Sequence, residues 1–208
     1  MSPYNFVDNN PVRYIDPDGR EIVDPKGKRV DITVNKDGSL TFSKNATQSI
    51  IRVANALNMT ETGRGQLQQM ISSNIKVKIN VSEKTVVRQR DGKNVYTYGR
   101  TIQGNNNEKD NYGKTKNADG TYAVKEATMT VYEESIKEAA KEGSNSKLEG
   151  LSTEQGIGAV AGHESVHATD KAEINKDIQA EVSGGDRTKA REVKPNKIEQ
   201  KIIDEYKK

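Results

Sequence analysis

Two histidines lie four positions apart in the segment AVAGHESVHATDK, residues 159–171, and the 208-residue chain contains no others. His163 is followed directly by Glu164, and His167 completes the pattern H-E-x-x-H. On an α-helix this spacing points both imidazoles in nearly the same direction, so that both can bind one ion. Glu164 points about 100° away, where its carboxylate can reach a water at that ion without being a ligand. The pattern therefore suits hydrolysis at zinc, with two neutral imidazoles as ligands and the carboxylate as the base.

The residues before the motif predict the capped helix that this chemistry requires. Ser152 lies three positions before Gln155, which is the order of a capping box, and the helix should continue through His167. Three glycines destabilise this helix by roughly 0.5–1 kcal/mol each relative to alanine, so close packing must compensate. Two histidines on a helix are also compatible with an ordinary exposed surface. Because small and apolar residues surround this pair, we interpret it as a metal site.

The third ligand of such a site must be an acid. Catalytic zinc usually takes three protein ligands, and the chain has no cysteine and no further histidine. One continuing helix would carry Glu173 and Asp177 away from the ion, which favours residues beyond 186. Glu192 precedes or opens a final helix predicted from about Pro195, and Glu199 follows two turns later. Either could instead be an ordinary charge, and spacing favours Glu192 only slightly. The downstream candidates are Glu173, Asp177, Glu181, Asp186, Glu192, Glu199, Asp204 and Glu205.

Asp170 is the other acid close to the motif. It lies three positions after His167 on the same helical face, where its carboxylate could orient an imidazole from outside the ligand set. The alternative is a polar residue that ends the helix. Asp170 is therefore a candidate supporting residue and not a candidate ligand.

Composition bounds the class of protein. The 33 basic residues only just exceed the 30 acidic ones and are spread along the chain, and aromatic residues make up 5%, so nucleic-acid binding is not expected. A mean hydropathy of -0.89 indicates a modest core with polar loops. No apolar run approaches the roughly 20 residues of a membrane span, and the first residues lack the order of a signal peptide.

Hydrophobic periodicity predicts a domain with both strands and helices. Alternating apolar residues around an Asp-Gly pair indicate a hairpin, and the runs IKVKINV and KEATMTVYEES indicate strands. Helical spacing recurs in two segments before the first of these strands and again near the end of the chain. The predicted elements are a hairpin in 30–42, helices over 46–59 and 61–73, strands over 75–81 and 126–132, and a short helix from 135.

Residues 88–123 stand apart from these elements. They are dense in Gly, Asn, Asp and Lys, and they predict a long polar loop with a short hairpin around 95–98. A loop of this length in a compact domain is either functional or disordered.

A second motif lies near the start of the chain. Residues 4–21 read YNFVDNNPVRYIDPDGRE, an aromatic lead into Asn-Asn-Pro and then Ile-Asp-Pro-Asp-Gly. This segment resembles the conserved core tail of Rhs (rearrangement-hotspot) repeat proteins, which closes their shell just before a variable C-terminal toxin domain. The resemblance covers residues 1–22. It implies that the rest of the chain is a toxin, secreted or delivered into a target cell at the end of a larger protein and paired with a cognate immunity protein.

The end of the chain carries a further resemblance. The segments GHESVHATD and REVKPNKIEQKIIDEY are similar to zincin-like metallopeptidase domains found as C-terminal toxins of Rhs and related systems, over roughly residues 125–206. The resemblance implies Zn²⁺ as cofactor, with His163 and His167 as ligands and Glu164 as the general base. It also implies Glu192 as the third ligand of a gluzincin-type site and Glu199 as a support within the last helix.

Together these observations predict a small α+β domain of zincin-like type, with a few antiparallel strands packed on the HExxH helix and the C-terminal helix. We expect a core tail over 1–22, an N-terminal part of the toxin over 23–87, a polar loop over 88–123 and the metallopeptidase core over 124–208. The expected activity is hydrolysis of a target-cell protein, with the strand ATMTVYE holding the substrate by edge pairing. The alternatives are a metal-dependent nuclease and a non-catalytic zinc-stabilised binding domain.

Overall fold

The computed structural model describes residues 22–90, 93–104, 120, 124–183 and 191–208. The described chain combines helices with small sheets in one small domain, which confirms the predicted α+β class. The Rhs-like motif, residues 4–21, lies outside the described residues. Of the predicted tail over 1–22, the structure describes only Ile22.

Strands precede most of the helices along the described chain. The strands are β1 (Ile22–Val23), β2 (Ile32–Val34), β3 (Leu40–Phe42), β4 (Lys76–Ser82), β5 (Val86–Arg90), β6 (Lys93–Thr97), β7 (Gly99–Gln103) and β8 (Glu126–Tyr132). The helices are α1 (Gln48–Asn58), α2 (Glu61–Ile71), α3 (Glu133–Ala140), α4 (Thr153–Thr169), α5 (Lys171–Ser183) and α6 (Val193–Tyr206). The predicted hairpin β2–β3, the strands β4 and β8, and the helices α1, α2, α3, α4 and α6 are confirmed.

The central sheet has four strands in the order β1-β4-β8-β7. We expected antiparallel strands, but β4 and β8 are parallel, from Lys76 opposite Glu126 to Ser82 opposite Tyr132. β1 is also parallel to β4, and only β7 runs antiparallel to its neighbour β8. The prediction was wrong because the connection from β4 to β8 is long enough to return the chain to the end where β4 begins, as parallel pairing requires.

The position of β8 changes which strand offers a free edge. β8 lies between β4 and β7, so both of its edges are hydrogen-bonded and ATMTVYE cannot add an extended peptide. β7 is the outer strand on that side of the described sheet. The edge strand that we expected at β8 is therefore β7.

The described residues between 88 and 103 lie mainly in strands and not in the polar loop that composition predicted. β5 and β6 form an antiparallel hairpin that starts with Val86 opposite Thr97, so it is longer than the hairpin expected around 95–98. β7 follows directly and pairs with β8. The segment has a polar composition because its hairpin is largely exposed and because β7, as shown below, carries polar side chains of the site. Residues 91–92, 105–119 and 121–123 of the predicted loop lie outside the described residues.

Helix α4 occupies the centre of the domain. Its capping box is present: Gln155 N donates to Ser152 Oγ at 3.2 Å, and Ser152 N donates to Gln155 Oε1 at 2.9 Å. The glycines of α4 allow the close approach that the sequence predicted. A Cβ at Gly158 would lie 2.9 Å from the backbone oxygen of Ala56 on α1, closer than such atoms pack. The cost of glycine in this helix is therefore offset by contacts that no larger residue permits.

Helix α6 packs against α4 and closes the core. Ile202 and Ile203 are buried, and a Cβ at Gly162 would lie 2.2 Å from Cδ1 of Ile202. The hydroxyl of Tyr206 donates to the backbone oxygen of Ala56 at 2.8 Å, which links α6 to α1. This docking fixes where the first residues of α6 lie relative to the HExxH motif.

Helix length and hydropathy give no candidate membrane span. Over the part of the chain that the structure describes, no helix is both long enough and apolar enough to cross a bilayer.

Candidate metal centre

The two imidazoles of α4 and one carboxylate of the residue before α6 converge on one point. His163 Nε2 lies 3.1 Å from Glu192 Oε2, and His167 Nε2 lies 3.6 Å from the same oxygen. Ligand atoms of these three residues all lie within 4.8 Å of one another. In a tetrahedral zinc site with bonds of about 2.0–2.2 Å, ligand atoms are separated by roughly 3.3–3.6 Å. The two distances to Glu192 are close to this spacing, and the three donors have the chemistry of a zinc site.

Glu192 faces the histidines because it is not used as a helix cap. It is the N-cap residue of α6, yet its side chain makes no capping hydrogen bond to that helix. Its carboxylate is only partly exposed and lies on the two imidazoles instead. The structure brings together the three residues that the sequence predicted as ligands.

The second ring nitrogen of His163 contacts Glu199. Glu199 lies two turns into α6, is 3% exposed, and has Oε2 at 3.1 Å from His163 Nδ1. Lys147 Nζ donates to the same oxygen. A carboxylate on Nδ1 leaves Nε2 turned towards the ion and makes the imidazole a stronger ligand. Glu199 thus has the contact that its predicted supporting role requires.

The second ring nitrogen of His167 contacts Asp177, which sequence reasoning had placed away from the site. Asp177 Oδ2 lies 2.9 Å from His167 Nδ1 and accepts a hydrogen bond from Gln103 Nε2, also at 2.9 Å. Arg191 Nε lies 2.9 Å from Asp177 Oδ1 as an ion pair, without the alignment of a hydrogen bond. Gln103 also donates to the backbone oxygen of His167 at 2.9 Å. Both histidines are therefore held by buried carboxylates.

Asp177 reaches His167 because one predicted helix is in fact two. α4 ends at Thr169, Asp170 has an extended backbone (φ -81°, ψ 109°), and α5 begins as a separate helix at Lys171. The expectation that Asp177 is carried away was wrong for this reason. The local sequence indicates this break only through Asp170, a polar residue that directly precedes the new helical segment KAEINKD.

Asp170 itself lies away from the imidazoles. Within the described part of the chain, its Oδ1 accepts hydrogen bonds from the backbone nitrogens of Ala172 and Glu173, at 3.0 and 3.1 Å, and its Oδ2 pairs with Lys194. The extended backbone turns its side chain forward onto the first turn of α5. Asp170 thus caps α5, while Asp177 makes the contact to a ring nitrogen that we expected of Asp170.

The remaining acidic candidates whose side chains the structure describes do not join the three donors. Glu173 is buried and pairs with Lys176 at 2.7 Å. Glu205 binds the first turn of α2 through Thr62, and Asp204 accepts from Gln200. The side chain of Glu181 and the whole of Asp186 lie outside the described residues.

Glu164 lies beside the donors and is 6% exposed. The hydroxyl of Thr101, on β7, lies 2.8 Å from its Oε2 and 3.0 Å from its backbone oxygen, and can donate to either. Burial raises the pKa of Glu164, and the charges of His163 and His167 oppose that shift. A buried carboxylate of raised pKa next to a metal site is suited to accept and return a proton.

Nearby carboxylates raise the pKa of both histidine rings. Burial alone would lower the pKa of His163, but hydrogen bonds to Glu192 and Glu199 raise it to about 9. Burial alone would also lower the pKa of His167, but hydrogen bonds to Asp177 and Glu192 raise it to about 10. Burial would raise the pKa of Glu192, but the two imidazoles lower it well below its usual range. The surrounding carboxylates stabilise positive charge at this point, which is also the property that favours a divalent cation.

A cavity of about 340 Å³ opens onto the three donors. All of β7 forms one wall, and residues of α4, α5 and the start of α6 form the rest. Its lining residues are Gly99, Arg100, Thr101, Ile102, Gln103, His163, Glu164, His167, Asp177, Arg191 and Glu192. The lining is mainly polar, so the cavity suits a hydrated, polar substrate segment more than an apolar ligand.

No protein-family model, no curated protein and no solved structure matches this chain. The interpretation of the site therefore depends on its own geometry.

Proposed function

We propose that this protein is a zinc-dependent metallopeptidase that hydrolyses peptide bonds of a target-cell protein. The convergence of His163 Nε2 and His167 Nε2 on Glu192 Oε2, with Glu164 buried beside them at the wall of a cavity, carries the proposal. The carboxylates on both Nδ1 atoms support it further, because they turn both Nε2 atoms towards one point.

The residues of the chain divide the reaction between them. His163, His167 and Glu192 hold zinc, which when bound supplies a Lewis acid that polarises a carbonyl and lowers the pKa of water. Glu164 accepts a proton from the attacking water while the oxygen of that water bonds to the scissile carbon. Glu164 then returns that proton to the amine nitrogen as the carbon–nitrogen bond breaks. Its burial favours this exchange, because burial brings the pKa of a carboxylate closer to neutrality.

Strand β7 supports a peptide as the substrate class. It is the outer strand of the described sheet and forms one wall of the cavity beside Glu164 and the donors. An extended peptide can add to such an edge through main-chain hydrogen bonds, which holds a polypeptide without requiring a particular sequence. This role, expected of β8, is better suited to β7.

The proposed setting is the toxin end of a delivered polypeptide, neutralised in the producing cell by an immunity protein. The support for this setting is the motif YNFVDNNPVRYIDPDGRE in residues 4–21, which resembles an Rhs core tail. The target protein is then a protein of the recipient cell.

The first test combines metal content with cleavage. Zinc is measured by mass spectrometry in the wild type and in His163→Ala, Glu164→Gln and Glu192→Ala, with the exposed Glu83→Gln as a matched control. We expect about one zinc per chain in the wild type, in Glu164→Gln and in the control, and loss in the other two. Cleavage of a denatured protein mixture, followed by mass spectrometry, should occur with the wild type and the control and fall by about 10²- to 10⁴-fold in Glu164→Gln.

The same samples separate the rival functions. Degradation of plasmid or RNA by the zinc-loaded wild type, without peptide cleavage, would replace the proposal with a nuclease. Stoichiometric zinc with neither activity would favour a zinc-stabilised binding domain. A wild type that takes up no zinc even after refolding with the metal would contradict the metal site itself.

A further inference from the structure

Strand β7 presents alternate residues to the helix that carries the motif. Gly99, Thr101 and Gln103 are two positions apart, so they share one face of the strand. Each of the three meets a group of the site: Gly99 and Thr101 meet Glu164, and Gln103 meets Asp177 and the backbone of His167. One face of one strand therefore contacts both the proposed base and the support of one proposed ligand.

Thr101 holds the Glu164 carboxylate from one side. Its hydroxyl oxygen lies 2.8 Å from Oε2 and 3.0 Å from the backbone oxygen of the same residue. Because it can donate to either oxygen, the hydroxyl holds the end of the side chain close to its own backbone and limits rotation of the carboxylate. A hydrogen bond to one carboxylate oxygen leaves the other with its lone pairs available for a proton.

Gly99 bounds the same carboxylate from another side. A Cβ at this position would lie 2.7 Å from both Cγ and Oε1 of Glu164, and 2.7 Å from Cγ1 of Val160. Any larger residue would therefore displace the Glu164 side chain or the strand. Glu164 is thus confined between a hydroxyl on Oε2 and a bare backbone against Oε1.

We propose that Thr101 is the positioning residue of the general base, which it holds through the Oε2 hydrogen bond while Gly99 leaves the space for Oε1. This inference rests on the proposed peptidase function. Because β7 is also the strand proposed to hold the substrate, the base and the peptide are aligned by the same element. Alignment of the base with the scissile bond then follows from how the peptide pairs with β7.

The test compares Thr101→Val with Thr101→Ser. Valine keeps the size and removes the hydroxyl, whereas serine keeps the hydroxyl. We expect Thr101→Val to lower kcat by about tenfold or more with KM changed by less than about twofold, and Thr101→Ser to stay within about threefold of the wild type. Zinc content should remain unchanged in both. Thr128→Val is the matched control, because Thr128 is a buried threonine on β8 opposite Ile102 and outside the cavity lining.

A second variant approaches the carboxylate from its other side. Gly99→Ala should also lower kcat with zinc retained, because the added methyl group would occupy the space of Glu164 Oε1. Wild-type kcat in Thr101→Val, or equal losses in Thr101→Val and Thr101→Ser, would overturn the proposal, since the hydroxyl would then have no specific role.

Crystal structures of the same variants provide a readout that does not depend on activity. We expect the Glu164 carboxylate to keep its position in Thr101→Ser and to move or adopt several conformers in Thr101→Val. An unmoved carboxylate in Thr101→Val would overturn the positioning role. If the zinc-loaded wild type cleaves no peptide, the peptidase proposal fails, and the crystal structures still decide whether Thr101 fixes Glu164.

Discussion

The two histidines of the motif are supported in different ways. His163 is held by Glu199, and Glu199 belongs to the same helix, α6, whose N-cap residue Glu192 is the proposed third ligand. His167 is held by Asp177 from α5, and Asp177 is in turn contacted by Gln103 from β7 and by Arg191. The support of His163 thus comes from the helix that follows Glu192, with Lys147 as a further partner of Glu199, whereas the support of His167 is assembled from three separate segments of the chain.

This difference predicts what each support depends on. The Glu199 side is set by how α6 docks on α4, through Ile202 against Gly162. The Asp177 side requires the break at Asp170, the edge strand and the residue before Glu192 all to be in place. Because Asp177 contacts His167, Gln103 and Arg191 whereas Glu199 contacts only His163 and Lys147 among the described residues, loss of Asp177 should affect the site more than loss of Glu199.

The largest predicted effect is the dependence of zinc affinity on pH. The pKa of His163 is raised to about 9 and that of His167 to about 10, and a ligand imidazole must be neutral at its metal-binding nitrogen. Zinc binding below these values therefore releases protons, and affinity should rise with pH by up to about tenfold per released proton and pH unit. Calorimetry in buffers of different ionisation enthalpy measures the protons released. Affinity that does not change between neutral and mildly alkaline pH would contradict the prediction.

The two histidines can also be compared directly, since the chain contains no others. NMR titration of the zinc-free protein should give two histidine pKa values above the ordinary value of about 6.5. Asp177→Asn should lower the pKa of His167 more than that of His163, because it removes a carboxylate from only one ring. Equal shifts at both rings would mean that the two supports are not separate.

The next effect is the loss of zinc affinity on removal of the Asp177 carboxylate. Asp177→Asn should weaken zinc binding by about 10- to 100-fold, because the amide no longer enforces the ring orientation and Arg191 loses one of its two carboxylate partners, the other being Glu192. Competition with a chelator of known affinity measures this change. Asp204→Asn, at an exposed site on α6, is the matched control. Wild-type affinity in Asp177→Asn would show that the contact to His167 Nδ1 does not support the site.

Loss of the Glu199 carboxylate, which supports His163, should reduce zinc affinity less than loss of Asp177. Glu199→Gln should weaken zinc binding by about tenfold, at the lower end of the range for such supports, because Lys147 is partly exposed and can be solvated when its partner is lost. The same competition assay applies, with the exposed Glu83→Gln as control. If Glu199→Gln weakens binding more than Asp177→Asn does, the helix-borne support is the stronger one and the comparison reverses.

The Glu199 side is the one that the sequence made predictable. The capping pair Ser152 and Gln155 fixes where α4 starts, and the four-residue spacing of the histidines then fixes their common direction. Glu199 lies in the predicted final helix and Glu192 is the N-cap residue of that helix, so periodicity placed both residues close to one element. Spacing alone favoured Glu192 only slightly, and the roles of Glu192 as a ligand and Glu199 as a support are those that the resemblance to zincin-like domains implies.

The Asp177 side could not be predicted for two physical reasons. The break between α4 and α5 consists of one extended residue, Asp170, with neither glycine nor proline to indicate it. β7 reads GRTIQ and lacks the apolar alternation of a strand, because its inner face carries Thr101 and Gln103 bonded to the site. Where side chains are chosen for a polar site and not for a core, hydrophobic periodicity no longer reports the secondary structure.

The smallest predicted effect tests the outermost partner of that network. Gln103→Met keeps the approximate length of the side chain and removes the hydrogen bonds to Asp177 and to the backbone oxygen of His167. One such bond has a net value of about 0.5–1.5 kcal/mol, and only the bond to Asp177 bears on the support of the ring, so zinc affinity should fall by about twofold to tenfold, less than in Asp177→Asn. In the double variant with Asp177→Asn the two losses should not add, because Gln103 acts on His167 chiefly through Asp177. Additive losses would mean that β7 contacts the metal centre by a second route, through the backbone of His167, and that the edge strand and the helix support this histidine independently.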